Sequence, residues 1–388
     1  MLEKIRPSEL TVGKKTTFDI YAKNGRLLLS RGAVISSQQQ IEVLMRRGLV
    51  KRDNSSRADY TSEFKPFRYS VRVNPFLEVA ELEEQLARIF QSLHGVNPPS
   101  SEAFYRSIRN ITSQLLGIAE QAPDALLGTV HWPSTDKVPY SVFHPIRCAI
   151  LVALVALHLK VKGEKLFSIM AAALTANLGM LTLQDKLNQQ KTPLTAEQKI
   201  ALQEHPDKSV LLLESLGVTD PVWLRAVLHH HERLDGSGYP QGLQGNEITN
   251  EAKLIALTDI YIALISAHEY REALSAKGAI RKLLIERGNL VGEELTKIFL
   301  SQLGIYPPGI PVKLKNGDLA VVTKRGEELN KPIAAGIRAA SGQVYMHPPP
   351  RDTSLEEFEI IELVSHELLK PLQPFLFWDV HTRKAIEL

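Results

Sequence analysis

The sequence holds a single cysteine, Cys148, in 388 residues. No internal disulfide can form, which fits a reducing cytoplasm. Cys148 sits in an apolar run and reads as an inert buried thiol. Long apolar stretches are missing as well. The most apolar run, Cys148 to Leu157, covers ten residues, whereas a bilayer span needs roughly 20. It reads as a buried helix, and no membrane span is expected. The N-terminus, Met1 to Pro7, lacks the apolar region of a signal peptide. Neither sign of charge dominates: the formal net charge is +3, too small to imply a nucleic acid or an anionic membrane as partner. Local pairs such as Arg46-Arg47 and Lys51-Arg52 read as solvated surface. Internal repeats and low-complexity segments are absent. These absences together predict a soluble, cytoplasmic chain.

Hydrophobic residues make up 44% and charged residues 23%, the balance of a globular protein. A chain of this length predicts two or three domains. Residues 1–66 read as a small α/β unit and linker. Phe18 to Leu29 is strand-like, with Asn24-Gly25 marking a hairpin. Ser36-Ser37 offers a cap for a helix carrying Ile41, Leu44 and Met45 that Gly48 stops. The stretch from Asp53 to Asn74 is polar and irregular.

Residues 67–134 read as a helical segment. Val79, Leu82, Leu86, Ile89 and Phe90 keep helical spacing, as do Phe104, Ile108, Ile111, Leu115 and Ile118. Both stripes are packing or dimer faces. More helices follow over 135–305. After Tyr306-Pro307-Pro308-Gly309 the pattern turns β-rich over 306–388. There Val312 to Val322 alternates around Asn316-Gly317, Pro348-Pro349-Pro350 and Pro371 stiffen the chain, and Trp378 is expected to pack.

The most informative stretch runs His229-His230-His231-Glu232-Arg233-Leu234-Asp235-Gly236-Ser237-Gly238-Tyr239-Pro240. Adjacent histidines at a helix end point about 100° apart, so two can grip one cation if that end faces a cleft. The loop after them is dense in glycine, and glycine permits φ > 0 and close approach of backbone to a ligand. Histidines followed by such a loop point to a metal beside a phosphate pocket; an incidental surface cluster is the alternative. Asp259 shares a helical face with Ala252, Ile255 and Ala263. A carboxylate on a buried stripe is costly unless paired or bound to a cation, so it is a ligand or half of an internal salt bridge.

From His230 to Ala273 these pieces resemble the HD-GYP family. The resemblance rests on His230-His231-Glu232, Asp235-Gly236, Gly238-Tyr239-Pro240, Gly242-Leu243, Asp259, Tyr261 and Tyr270-Arg271, and extends over roughly residues 135 to 322. It implies a mainly α fold: an HD-GYP-like helical bundle with small β-containing N-terminal and C-terminal units. It also implies a centre of two or three metals, often iron or manganese, that hydrolyses cyclic-di-GMP. His144, His205, His230, His231 and Asp259 would occupy ligand positions. Gly238, Tyr239 and Pro240 would contact the nucleotide, and Arg271 would face its phosphates.

The same resemblance exposes departures. The family's His-Asp-x-Gly-Lys segment falls on a helix running here from Met170 to Met180. With Gly179 fixing the alignment, Ala176 stands for the histidine, Asn177 for the bridging aspartate and Met180 for the lysine. Ile262 replaces a second aspartate, His268-Glu269 replaces Arg-Pro, and Tyr140 stands where some members carry a glutamate. Two-metal chemistry lowers the pKa of bound water and clamps both oxygens of an in-line displacement, and Asn177 brings no charge to bridge two dications.

Three histidines can still hold one iron, manganese or zinc ion with an open position; an empty relic is the alternative. Three readings result. The first is a regulatory protein binding cyclic-di-GMP, or a signalling protein through its HD-GYP surface, with weak or no phosphodiesterase activity. The second is a residual single-metal phosphodiesterase. The third is a purely structural interaction module. A homodimer is expected in each.

Overall fold

A computed structural model of the chain describes residues 2–4, 10–16, 20–21, 27–29, 33–37, 40–41, 44, 49–51, 64–69, 73–93, 95, 98–133, 138–266 and 273–378. The chain divides into two units, Met1–Glu63 and Phe64–Leu388.

The first unit carries β1 (Leu2–Lys4), β2 (Ile20–Tyr21), β3 (Leu27–Leu29) and β4 (Leu49–Lys51) in the antiparallel order β1-β4-β2-β3. Leu10, Ile20, Ile35, Ile41 and Leu44 form its small core. The Ser37 hydroxyl accepts from the Gln40 amide at 3.2 Å, as a helix cap does. The Asn24-Gly25 turn, Met45 and Gly48 lie outside the described residues, as does most of the stretch read as a linker.

The second unit begins with α1 (Pro75–Leu93), α2 (Ser101–Gln121), α3 (Pro123–His131), α4 (Tyr140–His158) and α5 (Gly163–Thr175). After a 3-10 turn, Leu178–Met180, come α6 (Leu181–Asn188), α7 (Ala196–Ser215), α8 (Pro221–Leu228), α9 (Asn250–Ile265), α10 (Ala276–Leu290) and α11 (Glu293–Leu303). The architecture is mainly α, as the sequence predicts. One apolar core runs from Phe64 to Leu303. Both stripes read as packing or dimer faces lie inside it: Leu82, Leu86, Ile108 and Leu115 are fully buried within this one chain. Intramolecular packing accounts for these side chains, while Ile89 stays partly exposed at the edge of its stripe. Two stretches, Tyr140–His158 and Gly163–Asn188, are long and apolar enough to cross a membrane by composition, but 83% and 78% of the apolar 18-residue window in each is buried inside the protein.

α2 starts where the Ser100 hydroxyl accepts from the Ala103 amide, and α7 where Thr195 and Gln198 form a reciprocal capping box. These satisfy backbone amides that a helix start leaves bare. The segment Met170 to Met180 is not one helix. α5 stops at Thr175, and the chain turns before the 3-10 element. A close approach explains the break. A Cβ on Gly179 would stand 2.5 Å from the His205 carbonyl oxygen and 2.8 Å from the Ser209 nitrogen. Ser209 locks the turn, donating to the Ala176 carbonyl at 2.7 Å and accepting from the Gly179 amide at 2.8 Å.

The C-terminal part holds β5 (Pro311–Leu314), β6 (Leu319–Lys324), β7 (Ile333–Arg338), β8 (Pro350–Asp352) and β9 (Ile360–Leu363). They form an antiparallel sheet in the order β8-β7-β6-β5-β9. The expected hairpin joins β5 and β6 through Gly317, whose φ of 88° is the left-handed backbone that glycine tolerates. Trp378 packs as expected: its indole donates to the Thr323 carbonyl at 2.8 Å, and its ring lies 5.0 Å from Phe76.

Candidate metal and nucleotide site

The site lies where α4, α6, α7, α9 and the loop after α8 meet around one cavity of about 570 Å³. That is the size range of small-molecule sites. Its described lining includes Tyr140, His144, Met180, Gln184, Lys191, His231, Tyr239 and Asp259.

α8 ends at Leu228, so His229 is its C-cap, and His230 and His231 lie in the following turn rather than on the helix. His205 comes from the middle of α7. The ring nitrogens of His205, His230 and His231 lie within 4.8 Å of one another. His205 Nδ1 donates to the Leu202 carbonyl at 2.7 Å, and His230 Nδ1 donates to the Val227 carbonyl at 2.6 Å. Each bond fixes the tautomer and leaves Nε2 as a bare lone pair, which is how metal-binding histidines are oriented. The two Nε2 atoms face each other at 3.3 Å. Two opposed lone pairs repel, and a shared cation relieves that repulsion. Burial, then the neighbouring His230, pushes the His205 pKa down to about 3. Burial also lowers His230 and holds His231 well below its ordinary value. All three stay neutral near pH 7, the form that binds metal. The trio therefore fits one cation.

A second group faces the same cavity. His144 Nε2 lies 2.8 Å from Asp259 Oδ1 and 3.5 Å from Cys148 Sγ. Burial opposes charge on both His144 and Asp259. The mutual hydrogen bond and neighbouring groups outweigh it, holding His144 well above its ordinary value and Asp259 below the carboxylate range. His144 and Asp259 are thus an imidazolium–carboxylate pair, the internal salt bridge weighed from the sequence. His144 Nδ1 is buried without a hydrogen-bond partner.

Of the three altered positions, Met180 lines the cavity. Ala176 and Asn177 are buried, and the Asn177 amide oxygen has no hydrogen-bond partner. Asp259 is the only carboxylate among the described residues lining the cavity, and Lys191 the only lysine or arginine.

The glycine loop is held by a residue to which the sequence assigned no role. Glu232 is 2% exposed, and its carboxylate accepts from the Gln241 amide at 2.7 Å and the Leu243 amide at 3.0 Å. Gly238 packs on the chain's own backbone: a Cβ there would stand 2.4 Å from the Arg233 nitrogen. The Tyr239-Pro240 peptide is cis. Tyr239 stacks on His231, ring centroids 4.7 Å apart, and enters the cavity wall. Of the residues expected to meet a nucleotide, Tyr239 lines the cavity and Gly238 shapes the loop; Arg271 lies outside the described residues. Sequence reasoning also missed the place of Cys148, whose position four residues after His144 on one helix was the available signal.

Comparison with known proteins gives the following likenesses. Residues 135–295 match a family described as HD domain. The chain is 30% identical over 224 residues to cyclic di-GMP phosphodiesterase PA4108 of Pseudomonas aeruginosa, covering 57% of this chain and 53% of that one. It is 34% identical over 145 residues to the cyclic di-GMP phosphodiesterase response regulator RpfG of Xanthomonas campestris, covering 37% and 38%. It is 24% identical over 308 residues to 3'3'-cGAMP-specific phosphodiesterase 3 of Vibrio cholerae, covering 68% and 66%. The chain spans about half the length of the first of these relatives and less of the second. These likenesses support the HD-GYP family, and the residues that line this cavity fall within the matched HD domain.

Proposed function

We propose that this chain is a regulatory HD-GYP protein of cyclic-di-GMP signalling that binds the nucleotide in the cavity and hydrolyses it weakly or not at all. The carrying observation is the shortage of anionic oxygen around the cavity. Asp259 is the sole carboxylate among the described lining residues, and it is already held by His144. A dinuclear hydrolytic centre needs an anionic donor between its ions to offset their mutual repulsion. Asn177, at the position of the family's bridging aspartate, is neutral.

His205, His230 and His231 hold a single iron, manganese or zinc ion in this reading. When bound, that cation supplies a positive centre for one phosphate oxygen. Tyr239, stacked on His231, presents an aromatic wall to a base. Lys191 at the cavity lining meets the second phosphate in place of the lysine that Met180 replaces. With the apolar helix faces buried in the core, the homodimer and any signalling partner engage other surface.

Calorimetry with cyclic-di-GMP, with 3'3'-cGAMP as comparison, and a hydrolysis assay with added manganese or ferrous iron test this together. Binding without turnover is expected. Turnover at the rate of an HD-GYP enzyme with its His-Asp pair intact overturns the reading. The combined change Ala176→His, Asn177→Asp and Met180→Lys is expected to raise both metal content and turnover.

A further inference from the structure

We infer that the face of α6 carrying Gln184 and Asn188 is the base-reading wall of the cavity, and that the base it takes is guanine. The inference rests on the nucleotide reading of the cavity and names the residues that make it specific.

Both residues line the cavity. They stand four positions apart on α6, so they share one helix face with Cβ atoms about 5–6 Å apart. The amide oxygen of each is buried and has no hydrogen-bond partner. Polar neighbours along the same stretch are fully engaged. The Asp185 carboxylate accepts from the Ser141 amide at 2.8 Å and the Ser141 hydroxyl at 2.7 Å, which ties α6 to the start of α4. Gln190 and Gln198 exchange amide hydrogen bonds at 3.1 and 2.7 Å, which ties the following turn to α7. Other groups therefore hold the wall in place, and the fold makes no use of these two amide oxygens. A buried acceptor left unpaired costs stability, and a ligand that donates to it removes that cost.

The ligand chemistry follows from those atoms. The edge of guanine carries the N1–H and the N2 amino donors side by side, with the O6 acceptor next to them. The edge of adenine carries one amino donor beside an acceptor nitrogen. Two acceptor oxygens on one helix face match adjacent donors, and each amide brings an NH₂ group for O6. The last torsions of Gln and Asn are broad, so each oxygen can turn toward a donor in the cavity. Asp259, the sole carboxylate among the described lining residues, is held by His144 and does not compete for the base. Tyr239 offers a ring face, and stacking on a ring accepts every base. So α6 reads one base of a cyclic dinucleotide, and Tyr239 holds the other without discrimination.

The test is calorimetry of the full chain with cyclic-di-GMP, 3'3'-cGAMP and cyclic-di-AMP, which share the ribose–phosphate ring and differ only in their bases. One guanine suffices for α6, and 3'3'-cGAMP places it there in one of two orientations, so it should bind only about twofold more weakly than cyclic-di-GMP. Cyclic-di-AMP should bind about tenfold more weakly or worse. The double change Gln184→Met and Asn188→Leu keeps the volume and removes both amides. It should make the three ligands bind alike, while the urea midpoint without nucleotide holds or rises because the unpaired acceptors are gone. If that variant does not fold, Asn188→Leu alone carries the comparison. Equal wild-type affinity for all three ligands, or a folded variant that keeps the guanine preference, overturns the inference and leaves the nucleotide reading standing. A variant weakened equally toward all three also overturns it, since the amides then only shape the cavity. A wild-type protein that binds none of the three refutes the nucleotide reading itself, and this inference with it.

Discussion

Glu232 shows how a single buried charge organises the glycine loop. Its carboxylate is almost fully withdrawn from water and accepts two backbone amides from across the loop. Hydrogen bonds to a charged group contribute about 1.5–3 kcal/mol each. They hold the loop against the turn carrying His231 and so fix the Tyr239 ring on the imidazole. Glu232→Gln keeps the shape, loses the charge and leaves an NH₂ facing amide donors. If the cavity binds cyclic-di-GMP as proposed, its affinity should fall about tenfold or more, since about 1.4 kcal/mol is a factor of ten, while metal content stays the same. Calorimetry and metal analysis on one preparation read both quantities. Unchanged affinity would mean that the loop is ordered by its glycines and by Asp235, which accepts from Ser237 at 2.9 Å.

Between elements, His131 at the end of α3 joins three parts of the fold. Its Nδ1 donates toward the carbonyls of Leu127 and Pro308, at 3.2 and 3.0 Å, and its Nε2 accepts from the Tyr261 hydroxyl of α9 at 2.8 Å. Burial, followed by nearby His366, pushes its pKa down from 6.5 to about 3. The unfolded chain therefore binds this proton before the folded one does as pH falls. Stability from His131 is full above about pH 6.5 and declines as pH drops toward 3, at about 1.4 kcal/mol per pH unit. His131→Asn should flatten that acid slope by one proton while lowering stability at pH 7, because Tyr261 loses its acceptor. Urea midpoints between pH 4 and 7 measure both. An unchanged slope would show that His131 is already protonated in the fold.

His131 also marks what was legible in the sequence. Helical stripes such as Leu82-Leu86-Phe90 and the hairpin at Gly317 could be read because period and turn chemistry are local. His230 and His231 could be singled out as candidates through their spacing to the glycine loop. The break after Thr175 could not, because it follows from Gly179 meeting the α7 backbone, 26 to 30 positions further along the chain. Nor could the grouping of Cys148 with Asp259, which depends on how α4 crosses α9. An isolated histidine such as His131 carries no signal of the carbonyl it will meet 177 positions away.

Over the second unit as a whole, the C-terminal sheet behaves as part of the helical body. Phe64–Leu388 clusters as a single unit, and the sheet is tied to helices by few but specific polar contacts. Arg325, just after β6, pairs with Asp124 of α3 at 2.6 Å and donates to the Gln302 carbonyl of α11 at 3.1 Å. The side chains of Arg325 and Asp124 are 23% and 21% exposed, between the surface pairs worth about 0–1 kcal/mol and the buried ones whose breakage costs about 3–5 kcal/mol. Arg325→Met keeps the apolar stem and removes the guanidinium. We expect a loss of about 1–2 kcal/mol, seen as a lower urea midpoint with an unchanged slope, because helices and sheet still unfold together. Intrinsic tryptophan fluorescence follows the sheet through Trp378 and the helices through Trp223, which is fully buried beside Thr175. Single-tryptophan variants of the Arg325→Met protein that melt at the same urea concentration support one cooperative body. Two separated transitions, with the Trp378 signal lost first, would show that the ion pair was the fastening between sheet and helices.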